Sequence, residues 1–173
     1  RYAGLYRLNR DMVFPAYHSV TWIDDEHRRL YLKDLSGRFA ALPEVRHYTL
    51  KVLRSAGVPS GDTDLAIQAV FNWVKRMVPY RHEYGEQIET PVYLLKNPTL
   101  GADCDGHAVL ICSMLSSVGI PCRLSFWYAG AGPDVHVSAQ AQSGLYWLNM
   151  DTTQNRPMGW KPARYNSRVT GSI

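Results

Sequence analysis

No stretch of the 173 residues approaches the 18 or more consecutive apolar side chains of a membrane-spanning helix, and no apolar signal-peptide core follows Arg1. A membrane span is therefore not expected, and the lack of an initiator methionine at Arg1 fits trimming upstream. Cysteine is scarce. Cys104, Cys112 and Cys122 are too few for a disulfide framework, and the odd count suits a reducing compartment or one disulfide that leaves Cys104 free. Neither CxxC nor paired histidines occur at zinc-ligand spacing, so no metal and no cofactor are expected. Internal repeats and low-complexity segments are also missing. The charge is modest, at +4, and unevenly placed: residues 1–54 hold ten Lys or Arg against six Asp or Glu, and the remainder holds nine of each. A basic arm can meet nucleic acid or an acidic protein surface. Here Asp24, Asp25 and Glu26 interrupt it and no stacking aromatics recur at even spacing with the bases, which favours protein docking over nucleic acid.

What is present is enough for one well-buried domain, with 46% hydrophobic residues. Short strands are expected at 20–23 and 29–32 around a turn at 24–27. Residues 43–56 read as a helix carrying Val45, Tyr48, Leu50, Val52 and Leu53 and stopped by Gly57. Periodicity is clearer at 64–78, where Ile67, Val70, Phe71, Val74, Met77 and Val78 recur at three- and four-residue steps. Pro79, Gly85, Pro91 and Pro98 mark 79–100 as a loop crossing that can border a cleft. From Gln154 the tail is polar, holds Pro157 and Pro162, and is expected to wrap the surface.

Residues 101–121 read as a helix marked at both ends. Asp103 is the candidate N-cap, Cys104 the first helical residue, and Gly119 with Pro121 the stop. The apolar run from Ala108 to Leu115 implies burial on most sides. A lone cysteine is more often a small core residue than a nucleophile. At a helix N-terminus, however, the partial positive charge favours a thiolate, and the backbone N–H of Cys104 can serve as an oxyanion donor. Asp103 and Asp105 oppose that by charge, and the helix end together with a histidine is expected to outweigh them.

The histidine and its partner come from a hairpin pattern. Val135, Val137, Ala139 and Ala141 alternate with His136, Ser138, Gln140 and Gln142, and a second strand, from Leu145 to Asp151, follows Ser143-Gly144. With Ser143 and Gly144 as the loop, Gln142 faces Leu145 and His136 faces Asp151. Directly facing residues hold their Cβ atoms within about 5.5 Å, close enough for a carboxylate to bond an imidazole. His107 lies one turn after Cys104 and reads as a buried hydrogen-bonding residue rather than an alternative base. The histidines at 18, 27, 47 and 82 have no such context.

From about Trp73 to Thr153 these residues resemble the transglutaminase-like superfamily, a papain-related fold with a Cys, His, Asp order. The resemblance rests on Gly101-x-x-Cys104 opening an apolar helix, Gly119-Ile-Pro-Cys-Arg123 leading into a strand, His136 on the next, and Trp147-x-x-x-Asp151-Thr152 after it. Tyr80 through Glu89-x-Pro91 is similar to the small transglutaminase-like cysteine peptidases of tailed phages and bacteria. The resemblance implies an α+β fold with the nucleophile helix packed on an antiparallel sheet. The chain is read as one domain with an N-terminal extension at 1–62 that packs on or docks from a catalytic core at 63–153, and a tail at 154–173. The resemblance also implies Cys104 as nucleophile, His136 as base and Asp151 as orienting partner. Many relatives carry an aromatic residue just after the histidine, where Val137 and Ser138 stand here. The second oxyanion donor is open among Trp73, Tyr80, Gln87 and Tyr93, with Tyr80 and Gln87 as cleft candidates and Trp73 and Tyr80 also readable as core aromatics.

The expected function is a thiol-dependent peptidase or amidase acting on peptides or proteins through an acyl-thioester. Hydrolysis is preferred over cross-linking, because the calcium-ligand spacing and extra domains of large cross-linking relatives are lacking. The resemblance places it in a virion or the cytoplasm. The alternative is a non-catalytic assembly component that keeps the fold. A metal-dependent hydrolase using His136, Asp151 and Asp103 is a distant third.

Overall fold

The computed structural model describes residues 15–82, 87–129, 135–163 and 165–173. The first part of the basic arm, with Arg1, Arg7 and Arg10, lies outside the described residues, as does Gly85. In chain order the elements are β1 (Tyr17–Ser19), α1 (Asp25–Ala40), α2 (Pro43–Ser55), α3 (Thr63–Met77), β2 (Gln87–Glu89), α4 (Pro91–Lys96), α5 (Cys104–Ser117), β3 (Cys122–Tyr128), β4 (Val135–Ser143), β5 (Tyr146–Met150) and β6 (Asn166–Val169).

Helix α5 is the centre of the molecule because its sequence leaves no polar face to expose. Every residue from Asp105 to Leu115 is buried. It is sandwiched between helices α1, α2 and α3 and an antiparallel sheet of order β5-β4-β3-β6. Leu124, Phe126, Val137, Ala139, Ala141 and Met150 supply the buried apolar face of that sheet. Helices α2 and α3 form where the apolar periodicity predicts them, and α3 is capped by Asp62, whose side chain accepts from the Leu65 amide at 3.0 Å.

The strands expected at 20–23 and 29–32 do not form. Residues 25–40 are helix α1 instead, started by Asp24, whose carboxylate accepts from the His27 amide at 2.7 Å, with Asp25 and Glu26 in the first turn. Leu32, Leu35, Ser36 and Phe39 are buried at helical spacing. A four-residue window around Leu30 and Leu32 cannot separate period 2 from period 3.6; the residues that decide lie further on. The described residues of the 79–100 stretch likewise form regular elements where a loop is expected. They include β2, paired with β1, and α4, which Pro91 opens at a position where no backbone N–H is needed. The tail contributes β6, an exposed edge strand pairing Ser125 with Val169 and Tyr128 with Asn166.

Candidate active site

Cys104 is the first residue of α5, as the capping pattern predicts. The Asp103 carboxylate accepts from the amides of Asp105 at 3.1 Å and Gly106 at 3.3 Å, and not from that of Cys104. Two glycines let the chain close up around this helix start. Gly101 has φ +75°, and a Cβ there would stand 2.5 Å from the Pro79 carbonyl oxygen; a Cβ on Gly106 would meet Ala102 Cβ and Glu89 Oε2, each at 2.8 Å. Residues 79–81 therefore run alongside 101–102, with the Ala102 amide donating to Pro79 O at 3.2 Å and the Arg81 amide to Ala102 O at 2.9 Å.

His136 and Asp151 meet, but in a different register from the one expected. Ser143 pairs with Tyr146 and Ala139 with Met150, so the loop is Gly144-Leu145 rather than Ser143-Gly144. The reason is the turn. Gly144 has φ +56° and no described residue other than glycine has a positive φ, which fits a type II′ turn with glycine at its first central position. This slides the strands by two positions, an even step that keeps Asp151 on the face of His136. Asp151 follows the last residue of β5, and its Oδ2 reaches diagonally to His136 Nε2 at 2.7 Å. Its other oxygen accepts from the Thr153 amide at 3.1 Å and the Thr153 hydroxyl at 2.7 Å.

Because the β4–β5 ladder ends at Ala139, the adjoining edge of β4 is open, and the Val137 amide, next to His136, bonds the Cys104 sulfur. The cysteine is thus brought to the strand that carries the histidine. Burial, then the charges of Asp103 and Asp105, push the Cys104 thiol well above the free-cysteine range; Asp151 adds to the rise, and the Val137 amide pulls the other way. The expectation that the helix end and histidine outweigh the two aspartates is not met. Asp103 is held at the same helix end that it caps, beside the sulfur. These effects favour the thiol form of the resting sulfur. Burial works against ionisation of Asp151, but the bonds to His136 and Thr153 outweigh it and hold this carboxyl below its ordinary range.

His107 is buried, as predicted, and its Nδ1 shares a 2.8 Å hydrogen bond with Thr152 Oγ1, tying α5 to the segment that carries Asp151. Burial lowers it to about 4, outweighing the Pro79 carbonyl, Asp103 and Asp151, so it is neutral at pH 7. Tyr80 is 53% exposed, not a core aromatic, and bridges to Ala102 beside the nucleophile helix; Trp73 packs partly buried against the core. Gln87 lies in the β1–β2 ribbon opposite Ser19, and Tyr93 is half-buried in α4.

Three contributors are not found by sequence reasoning. Thr153 holds Asp151 through an Asp-x-Thr turn, for which the residue types are a local signal. Glu89, 2% exposed, pairs with Arg81 and places Oε2 over Gly106. A buried chain from Trp127 Nε1 to Ser138 Oγ (2.8 Å) to Asn149 Oδ1 (2.7 Å) braces the strand beside His136. The last two depend on long-range packing and leave no mark in the local sequence.

The sequence pattern of the transglutaminase-like superfamily matches residues 51–152, more than half of the chain. The chain belongs to this superfamily. Two solved structures share its fold. One is a candidate cysteine protease of Cytophaga hutchinsonii, with a TM-score of 0.51, 16% identity and coverage of 79% of this chain and 53% of that one. The other is calcium-bound LapG of Legionella pneumophila, with a TM-score of 0.51, 13% identity and coverage of 80% of each chain. The present superfamily member thus spans about half the length of the Cytophaga protein, and at these identities the likeness concerns the fold alone. A comparison with curated proteins finds no match. Calcium accompanies LapG; among the described residues here, no group of three or more His, Cys, Asp or Glu side chains is arranged to hold a metal ion. No helix among them is long and apolar enough to cross a membrane.

Proposed function

We propose that the chain is a cysteine peptidase or amidase that cleaves peptide or side-chain amides through an acyl-thioester on Cys104. The observation that carries this reading is the 2.7 Å contact between His136 Nε2 and Asp151 Oδ2, one residue from the amide that bonds the Cys104 sulfur. Asp151, held ionised, keeps the proton on Nε2, which leaves the Nδ1 lone pair for the thiol. Since the sulfur rests protonated, His136 acts as a general base during attack rather than forming a standing ion pair.

As the S–C bond forms, the thiol proton passes to Nδ1 and the carbonyl π electrons become an oxyanion received by the Cys104 N–H. Collapse of this intermediate breaks the C–N bond, and the imidazolium gives its proton to the leaving amine. Water then attacks the thioester, His136 takes a water proton, and that proton returns to the departing sulfur. Tyr80 is the better supported second oxyanion donor, because it bridges to Ala102, two residues before Cys104, whereas Gln87 lies in the β1–β2 ribbon. Residues 63–153 form the catalytic core in this reading, with 1–62 packing on or docking from it and 154–173 as its outer tail. The resemblance to phage and bacterial peptidases supports virion or cell-wall proteins as substrates and a virion setting.

Burial of Cys104 and its two flanking carboxylates, which disfavour the thiolate, support the second reading, a non-catalytic assembly component. A peptide digest of a bacterial lysate, incubated with the protein and sequenced by mass spectrometry, separates the two. New termini that vanish with Cys104→Ser support hydrolysis. Amine-modified side chains instead of new termini would make the reaction transamidation, and an unchanged digest would leave the scaffold.

A further inference from the structure

Cys112 and Cys122 take no part in this chemistry, and the fold brings them together. Cys112 lies in the third turn of α5 and Cys122 opens β3, on opposite sides of the turn that joins them. Cys112 faces the sheet, and Cys122 shares the apolar sheet face of Leu124 and Phe126. Their sulfurs are 3.0 Å apart and both residues are 0% exposed. The backbone of Cys122 is fixed from two sides, by pairing with Ala141 and by the Ile173 amide, which donates to Cys122 O at 2.9 Å. A disulfide bond is about 2.05 Å long, so the gap of 3.0 Å closes with about 1 Å of movement. Cys104 is excluded as a partner for Cys112, because eight residues of helix separate them by about 12 Å, beyond the reach of a disulfide.

We propose that Cys112 and Cys122 are a disulfide-forming site that fastens α5 to β3 when the chain folds in the presence of a disulfide oxidant, either a small-molecule disulfide or a disulfide-donating protein. One cysteine thiolate attacks the oxidant RSSR, releasing one thiol RSH and leaving a mixed disulfide. The second cysteine displaces the other RSH. Two cysteines are oxidised, one RSSR is reduced, and both thiol protons leave with the two RSH products. The bond forms during folding, while the sulfurs are still accessible, and burial then shields it from reductants. Burial also holds the Cys112 thiol protonated in the folded chain, which slows exchange after folding. Cys104 remains the one thiol outside the cross-link.

The test is to refold the full chain from urea with oxidised glutathione or with a phosphine reductant, unfold it in N-ethylmaleimide, and map the cysteines by mass spectrometry. In the oxidised sample the Cys112 and Cys122 peptides should be linked to each other, with Cys104 outside the linkage. Cross-linking residues ten apart should raise Tm by about 5 to 10 °C over the reduced protein. The double variant Cys112→Ala, Cys122→Ala should melt at one temperature under both conditions. Alkylation or glutathionylation of both residues in the oxidised sample, a bond from either to Cys104, or a bonded protein that melts no higher than the reduced one would overturn the proposal.

Discussion

Acid should destabilise this protein through His107 before it reaches any carboxylate. The ring is buried between α5 and Thr152 and titrates at about 4, against 6.5 for an ordinary histidine. Above pH 6.5 it is neutral whether the chain is folded or not, and it contributes no pH dependence. Between pH 6.5 and about 4 the unfolded chain takes up a proton that the folded state refuses, so stability falls as pH falls; below about 4 the loss is complete. A gap of about 2.5 units at roughly 1.4 kcal/mol each amounts to about 3 kcal/mol. Asp151 also loses stability on acidification, because its folded-state carboxyl titrates below the ordinary 3.8, but that loss falls below the His107 window. Urea unfolding from pH 7 to pH 4 should therefore show the wild type losing about 3 kcal/mol more than His107→Gln, which can still bond Thr152 but cannot titrate. Coincident pH dependences for the two proteins would refute the assignment.

Asp151→Asn removes the carboxylate that fixes the His136 tautomer and should lower the rate of Cys104-dependent peptide cleavage by about 10²-fold or more; an unchanged rate in the digest assay would count against the pair. Gly106→Ala places a methyl against Ala102 and Glu89, each at 2.8 Å, and should cost about 1 to 3 kcal/mol in urea unfolding as the first turn of α5 shifts. A midpoint equal to wild type would show that the crowding is relieved for free. Because burial and two aspartates push the Cys104 thiol up, its alkylation by iodoacetamide should be no faster than that of free cysteine at pH 6 and should climb with pH. A fast plateau reached at pH 6 would instead indicate a standing thiolate.

The nucleophile helix is readable from sequence because its signals are local: a capping aspartate, an apolar run and a glycine-proline stop. The pairing of His136 with Asp151 is readable for a different reason. Strand alternation fixes which face a side chain occupies, and the two-position slip caused by Gly144 cannot change the face. What alternation cannot give is the diagonal geometry, which depends on the ladder ending at Ala139. Ser138 and Gln140 stand on the polar face of the alternating strand pattern yet are 1% and 4% exposed, because Trp127, Asn149 and Arg123 satisfy them across strands. Helix α1 is misread for want of window length, and the state of the Cys104 sulfur because burial, its largest determinant, is a property of the assembled fold.

The central claim is that His136 takes the proton from Cys104 at the moment of acyl transfer. Acylation by 4-nitrophenyl acetate, followed by 4-nitrophenol release and intact mass, measures that step directly. The wild type should give a burst that leaves one acetyl group on Cys104, and His136→Ala should acylate about 10²-fold more slowly or less. Equal burst rates in the two proteins, or an acetyl group on some other residue, would contradict the account.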